Sequence, residues 1–88
     1  MYEKKAILKN EVGLHARPAS LFIQEACKYV SDIFVTKDDK TYNAKSIMSI
    51  LSMGAKKGDE ILIFANGDDE KEAVENLYKL ITEDILRI

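Results

Sequence analysis

The only histidine, His15, is followed directly by Ala16, Arg17 and Pro18, and this short run gathers the parts needed to handle a phosphoryl group. An imidazole is a nitrogen nucleophile. Arg17 offers a charged fork that fits phosphate oxygens. Pro18 suits the first turn of a helix, because its missing N–H would have had no helical partner there. The free backbone amides and the positive dipole end of that helix then stand beside His15, where an anion is held well. A histidine without such neighbours is more often a plain structural or surface residue, so the flanking residues point to chemistry more than the ring does. Gly13 can take backbone angles closed to other residues, which serves either the close approach of a partner or simply a turn.

These side chains need elements to position them. Residues 2–8 read as a strand and Asn10–Gly13 as a loop. Ala19, Phe22, Ile23, Ala26 and Val30 recur at spacings of three and four, which predicts a helix with one buried face. Ile33–Thr36 and Thr41–Asn43 flank a polar turn and read as a hairpin. Ile47, Ile50 and Leu51 form a short helix between Ser46, a good N-cap, and Gly54, a good terminator. Glu60–Ala65 is the strongest strand signal and is expected to be central. Asp69 and Glu72 have capping-box spacing ahead of a long helix carrying Val74, Leu77, Tyr78, Ile81, Ile85 and Ile88. The order β-α-β-β-α-β-α predicts an α+β fold: an open-faced two-layer sandwich, with a four-stranded antiparallel sheet covered on one side by three helices.

Composition narrows the function. With 88 residues the chain is expected to form one domain, residues 1–88, and its 47% hydrophobic and 32% charged residues suit a globular protein that folds without a cofactor. Cys27 is the only cysteine, so no internal disulfide can form. It reads as a small core residue on the apolar face of the first helix. With no apolar run near the roughly 20 residues that span a bilayer and no signal-peptide pattern, a cytoplasmic protein without membrane insertion is expected. A net charge of −2 argues against direct nucleic-acid binding. The acidic pairs Asp38-Asp39 and Asp68-Asp69 lack metal-site spacing, so no metal is expected.

Gly13-Leu14-His15-Ala16-Arg17-Pro18-Ala19 resembles the phosphorylation-site motif of HPr, the histidine-containing phosphocarrier of the phosphoenolpyruvate:sugar phosphotransferase system. Lys45-Ser46-Ile47-Met48, with Ser52 and Gly54, resembles the regulatory-serine segment of the Gram-positive branch. Ser49 departs from it, standing where the pattern more often has glycine. The resemblance implies an HPr-like fold, a carrier that is not itself an enzyme, and no cofactor. It implies that His15 takes a phosphoryl group from enzyme I and passes it to enzyme IIA proteins or domains, with Arg17 contacting the phosphate. It further implies that Ser46 is phosphorylated by an HPr kinase/phosphorylase, and that the product is read by a catabolite-control transcriptional regulator. A monomer is expected.

Three helical apolar residues cannot all reach the core from so short a helix, so Ile47, Met48 and Leu51 are candidates for docking partners, Met48 for its flexibility, while plain core packing fits Ile50 and Leu51 best. Leu14, Ala16, Ser20 and Gln24 would complete that face. Three other functions remain in view. A related carrier in a nitrogen-type phosphorelay would use the same His15 chemistry, but the Ser46 segment favours the sugar branch. A hydrolase with a phosphohistidine intermediate needs further acid or base groups. An RNA-binding sheet needs exposed aromatics and basic charge, and neither is evident in the sequence.

Overall fold

A computed structural model describes residues 1–87; Ile88, expected on the last helix, lies outside the described residues. Strands β1 (Tyr2–Ile7), β2 (Asp32–Lys37), β3 (Lys40–Asn43) and β4 (Glu60–Asn66) form one antiparallel sheet in the order β1-β4-β2-β3. Helices α1 (Ala16–Ala26), α2 (Ile47–Met53) and α3 (Glu70–Thr82) cover one face, and a final 3-10 turn spans Asp84–Arg87. The predicted class, element order and central β4 all hold.

The sheet alternates strictly. Ala6, Ile33, Val35, Ile61, Ile63 and Ala65 point at the helices and meet Phe22 of α1, Ile50 of α2 and Val74, Leu77 and Ile81 of α3 in one core. This apolar layer supplies most of the driving force for folding. The β2–β3 turn places Asp38 and Asp39 in the left-handed region, at φ +51° and +66°. Those angles fit the twist of a two-residue hairpin, and short polar side chains tolerate them best after glycine. On the uncovered face Phe34 and Phe64 stand opposite each other in register, rings stacked with centroids 5.5 Å apart. Both rings are half-buried, short of the exposed aromatics an RNA-binding sheet needs, and Glu3, Asp32 and Glu60 outnumber Lys5 and Lys40 on the exposed strand positions.

Four local expectations are corrected. Helix α1 ends at Ala26, so Val30 lies outside it and is 78% exposed, not part of its buried face. Cys27 is the exposed C-cap of α1, not a core residue. Asp69 caps α3 by position but makes no capping bond. Its carboxylate accepts instead from the Val30 and Ser31 amides, both at 3.0 Å, and from the Ser31 hydroxyl. The chain leaving α1 is thereby held against the start of α3. Finally, α3 stops at Thr82, and Ile85 is buried from the 3-10 turn that follows.

Candidate functional site

His15 is the N-cap residue of α1, extended at φ −142° and ψ 159°, and its side chain makes no capping bond. The exposed imidazole is thus not spent on the helix it precedes. Ala16 has φ +54°, a left-handed angle that costs an alanine about 1–2 kcal/mol. Such strain next to a reactive group persists only where surrounding structure holds it. Pro18 is buried in the first turn, where the sequence puts it, and with Ala19, Phe22 and Ala26 anchors α1 to the core. Arg17 is exposed, and the first turn of α1 contains no acidic residue. Among the described residues no carboxylate is ion-paired to Arg17, so its guanidinium is available to an incoming anion.

The loop ahead of His15 is held from two sides. Gly13, at φ +63°, lies so close to the α2–β4 connection that a Cβ there would sit 2.3 Å from the Ala55 carbonyl oxygen. The close approach that requires glycine is made by the chain itself, a role between the two foreseen for this residue. The Leu14 amide donates to the Ala55 carbonyl at 3.0 Å, and Lys57 pairs with Glu11 at 2.7 Å, holding that carboxyl below its ordinary range.

Helix α2 stands on the other side of this loop. Ser46 is its N-cap: its hydroxyl accepts from the Ser49 amide at 3.3 Å, its carbonyl accepts from the Ile50 amide, and Gly54 closes the helix at φ +63°. The unusual Ser49 has a structural task, since its hydroxyl accepts from the Asn43 amide at 2.9 Å and ties β3 to α2.

The docking candidates separate into groups. Ile47, Met48 and Leu51 are exposed while Ile50 of the same helix is buried, Met48 most so at 76% exposed. Leu51 shares a depression of about 390 Å³ with His15, Leu14, Val12 and Lys56. Leu14, however, is only 1% exposed, so it supports that depression from beneath and offers a partner almost no surface; its expected place in the docking face is corrected. Ala16 and Arg17 line a second depression of about 530 Å³, with Val12, Pro18, Ile85 and Leu86. Ser20 and Gln24 are exposed on the outer face of α1, where the Gln24 amide donates to the Ser20 hydroxyl at 3.3 Å. Sequence reasoning missed Val12, exposed and bordering both depressions, because an apolar residue inside a turn carries no periodic signal. Among the described residues no cluster of His, Cys, Asp or Glu has the geometry of a metal site, and no helix is long and apolar enough to cross a membrane.

Comparison with known proteins gives the family and the fold. Residues 2–83 match a family model described as the PTS HPr component phosphorylation site. The chain is 44% identical to the HPr-like protein Crh of Bacillus subtilis, over 97% of this chain and 100% of that one. It is 42% identical to the phosphocarrier protein HPr of Buchnera aphidicola, over 94% and 98% of the two chains. The crystal structure of HPr from Thermoanaerobacter tengcongensis superimposes with a TM-score of 0.95 at 49% identity, covering 100% of this chain and 98% of that one.

Proposed function

The chain belongs to the HPr family, whose members carry phosphoryl groups within the phosphotransferase system and are not catalysts in their own right, and from that premise we propose that His15 is its phosphoryl acceptor. The observation that carries this reading is the uncommitted imidazole at the N-cap of α1, two residues from an Arg17 that no carboxylate pairs among the described residues and with no acidic residue in the first turn. A ring nitrogen attacks phosphorus with its lone pair as the bond to the donor breaks. The helix amides and Arg17 then share the charge of the phosphoryl oxygens. The donor is enzyme I, charged by phosphoenolpyruvate, and the acceptor an enzyme IIA protein or domain of the sugar branch. Both dock on the apolar surface formed by Val12, Ile47, Met48 and Leu51 around His15, with Ala16, Ser20 and Gln24 at its margin.

Ser46 is the regulatory site of the same protein. A phosphate placed there by an HPr kinase/phosphorylase stays compatible with α2, because a helix N-terminus favours negative charge. It opposes enzyme I at the adjoining apolar patch and creates a determinant for a catabolite-control transcriptional regulator. Similarity to an HPr-like protein as well as to phosphocarriers supports assigning both roles. The protein works in the cytoplasm.

The test is a relay. With enzyme I, labelled phosphoenolpyruvate and an enzyme IIA, label is expected to pass through this chain to the IIA protein, and removing the chain is expected to stop it. Transfer that proceeds equally with a His15→Ala variant would refute the proposal.

A further inference from the structure

We infer that Asn10 is a positioning residue for His15, acting through the peptide unit that joins Gly13 to Leu14. The inference rests on the reading of His15 as the phosphoryl acceptor. Asn10 is 8% exposed although polar, while its neighbours Lys9, Glu11 and Val12 face solvent. Its side-chain Nδ2 donates to the Gly13 carbonyl oxygen at 2.9 Å, and the Gly13 amide donates back to the Asn10 carbonyl at 3.2 Å. At the far end of the same peptide unit, the Leu14 amide donates to the Ala55 carbonyl at 3.0 Å.

One planar peptide is therefore gripped at its oxygen by Asn10 and at its nitrogen by the α2–β4 connection. Because a peptide rotates as a rigid plane, it cannot turn about its Cα–Cα axis without breaking one of these bonds. Leu14, buried beneath the loop, is the only residue between that plane and His15. Downstream, the left-handed Ala16 sets the angle at which the chain enters α1. The direction in which the imidazole leaves the loop is thus fixed from behind by Asn10 and from ahead by Ala16.

The remaining polar atom of this side chain, Oδ1, is buried and has no partner among the described residues. A buried acceptor without a protein partner adds nothing to stability, so the contribution of this side chain lies in its other end. What it supplies is the donor to Gly13.

Asn10→Asp keeps the shape and replaces that donor with an oxygen, whereas Asn10→Ala removes it. Both full-length variants would be compared with wild type in phosphoryl transfer from enzyme I, at a temperature where circular dichroism shows all three folded. Amide hydrogen exchange would be followed in parallel at Leu14 and His15, with Val35 and Ile63 in the sheet as internal references. Expected are a fall of at least about tenfold in kcat with KM little changed, within the range that small misplacements of a reacting group produce, and faster exchange at Leu14 but not in the sheet. Wild-type kcat in the folded variants, even with a lowered Tm, would overturn the inference and leave Asn10 with a structural role only. Failure of the wild type to accept a phosphoryl group would instead sink the acceptor reading. Exchange at Leu14 needs no partner protein, and an unchanged rate there would overturn the inference in either case.

Discussion

Replacing Gly13 by alanine probes the contact that holds the His15 loop, and its cost follows from the geometry. The new methyl carbon would lie 2.3 Å from the Ala55 oxygen and 2.8 Å from the Lys56 Cα, so loop and connection must part by about 1 Å to restore ordinary contact. At φ +63° alanine also takes the left-handed penalty of about 1–2 kcal/mol. Parting the two segments breaks the Leu14–Ala55 hydrogen bond, a net loss of about 1 kcal/mol. Together these give about 2–3 kcal/mol, which in a domain of this size lowers Tm by roughly 10–20 °C. Gly54 provides the control, because it has the same φ of +63° with open space where a Cβ would go. Gly54→Ala should therefore show only the conformational part. Urea and thermal unfolding followed by circular dichroism would measure both. Equal destabilisation by the two substitutions would refute the close-approach argument, and an effect of Gly13→Ala under about 0.5 kcal/mol would place it among neutral surface changes.

Arg17→Ala is expected to slow phosphoryl transfer by about 100-fold, the scale of one lost charge-stabilising donor, with Arg17→Lys recovering part of it; wild-type rates in both would make the helix amides sufficient. Ser46→Ala removes the hydroxyl that accepts from Ser49 and should cost about 1 kcal/mol in unfolding experiments, whereas Ser46→Asp should keep the cap yet weaken enzyme I binding. Equal binding of wild type and Ser46→Asp at low salt would argue that Ser46 is a cap alone. Asp69 is held below its ordinary range, first by the Ser31 hydroxyl and then by the Val30 and Ser31 amides. A depressed folded-state pKa gives stability that is present above the unfolded value of about 4 and is lost as pH falls through the folded one. The stability advantage of wild type over Asp69→Asn should accordingly shrink below about pH 4, as acid titration of unfolding would show. An advantage constant down to pH 2 would exclude the carboxylate as its source.

The same aspartate explains much of what the sequence did not disclose. Apolar spacing through Val30 suggested that α1 ran on, and Asp69-x-x-Glu72 suggested a capping box. Both readings fail because the Asp69 carboxylate is engaged by Val30 and Ser31, 38 to 39 residues away in the chain. Local periodicity has no access to a contact of that range. Cys27 falls off the apolar face that its spacing predicts, since it is already the exposed C-cap of α1. Features decided within one turn were legible: the start of α1 at Ala16–Pro18, the Ser46 cap, the Gly54 stop and the Asp38–Asp39 hairpin turn. In the site, His15 and Arg17 are exposed at the start of α1, and Ile47, Met48 and Leu51 are exposed on α2, Leu51 against the core packing that its spacing also allows. The burial of Leu14 and the grip of Asn10 depend on how the loop folds back on Ala55, and the second depression on how Ile85 and Leu86 return beside Arg17, which no spacing rule encodes.

The most direct test of the central claim is the intact mass of this chain after incubation with enzyme I and phosphoenolpyruvate. A gain of one phosphoryl group, lost in mild acid, retained in alkali and absent from a folded His15→Ala variant, is the result predicted for a phosphohistidine at the head of α1. No gain in mass, or a gain of the same size in His15→Ala, would contradict it.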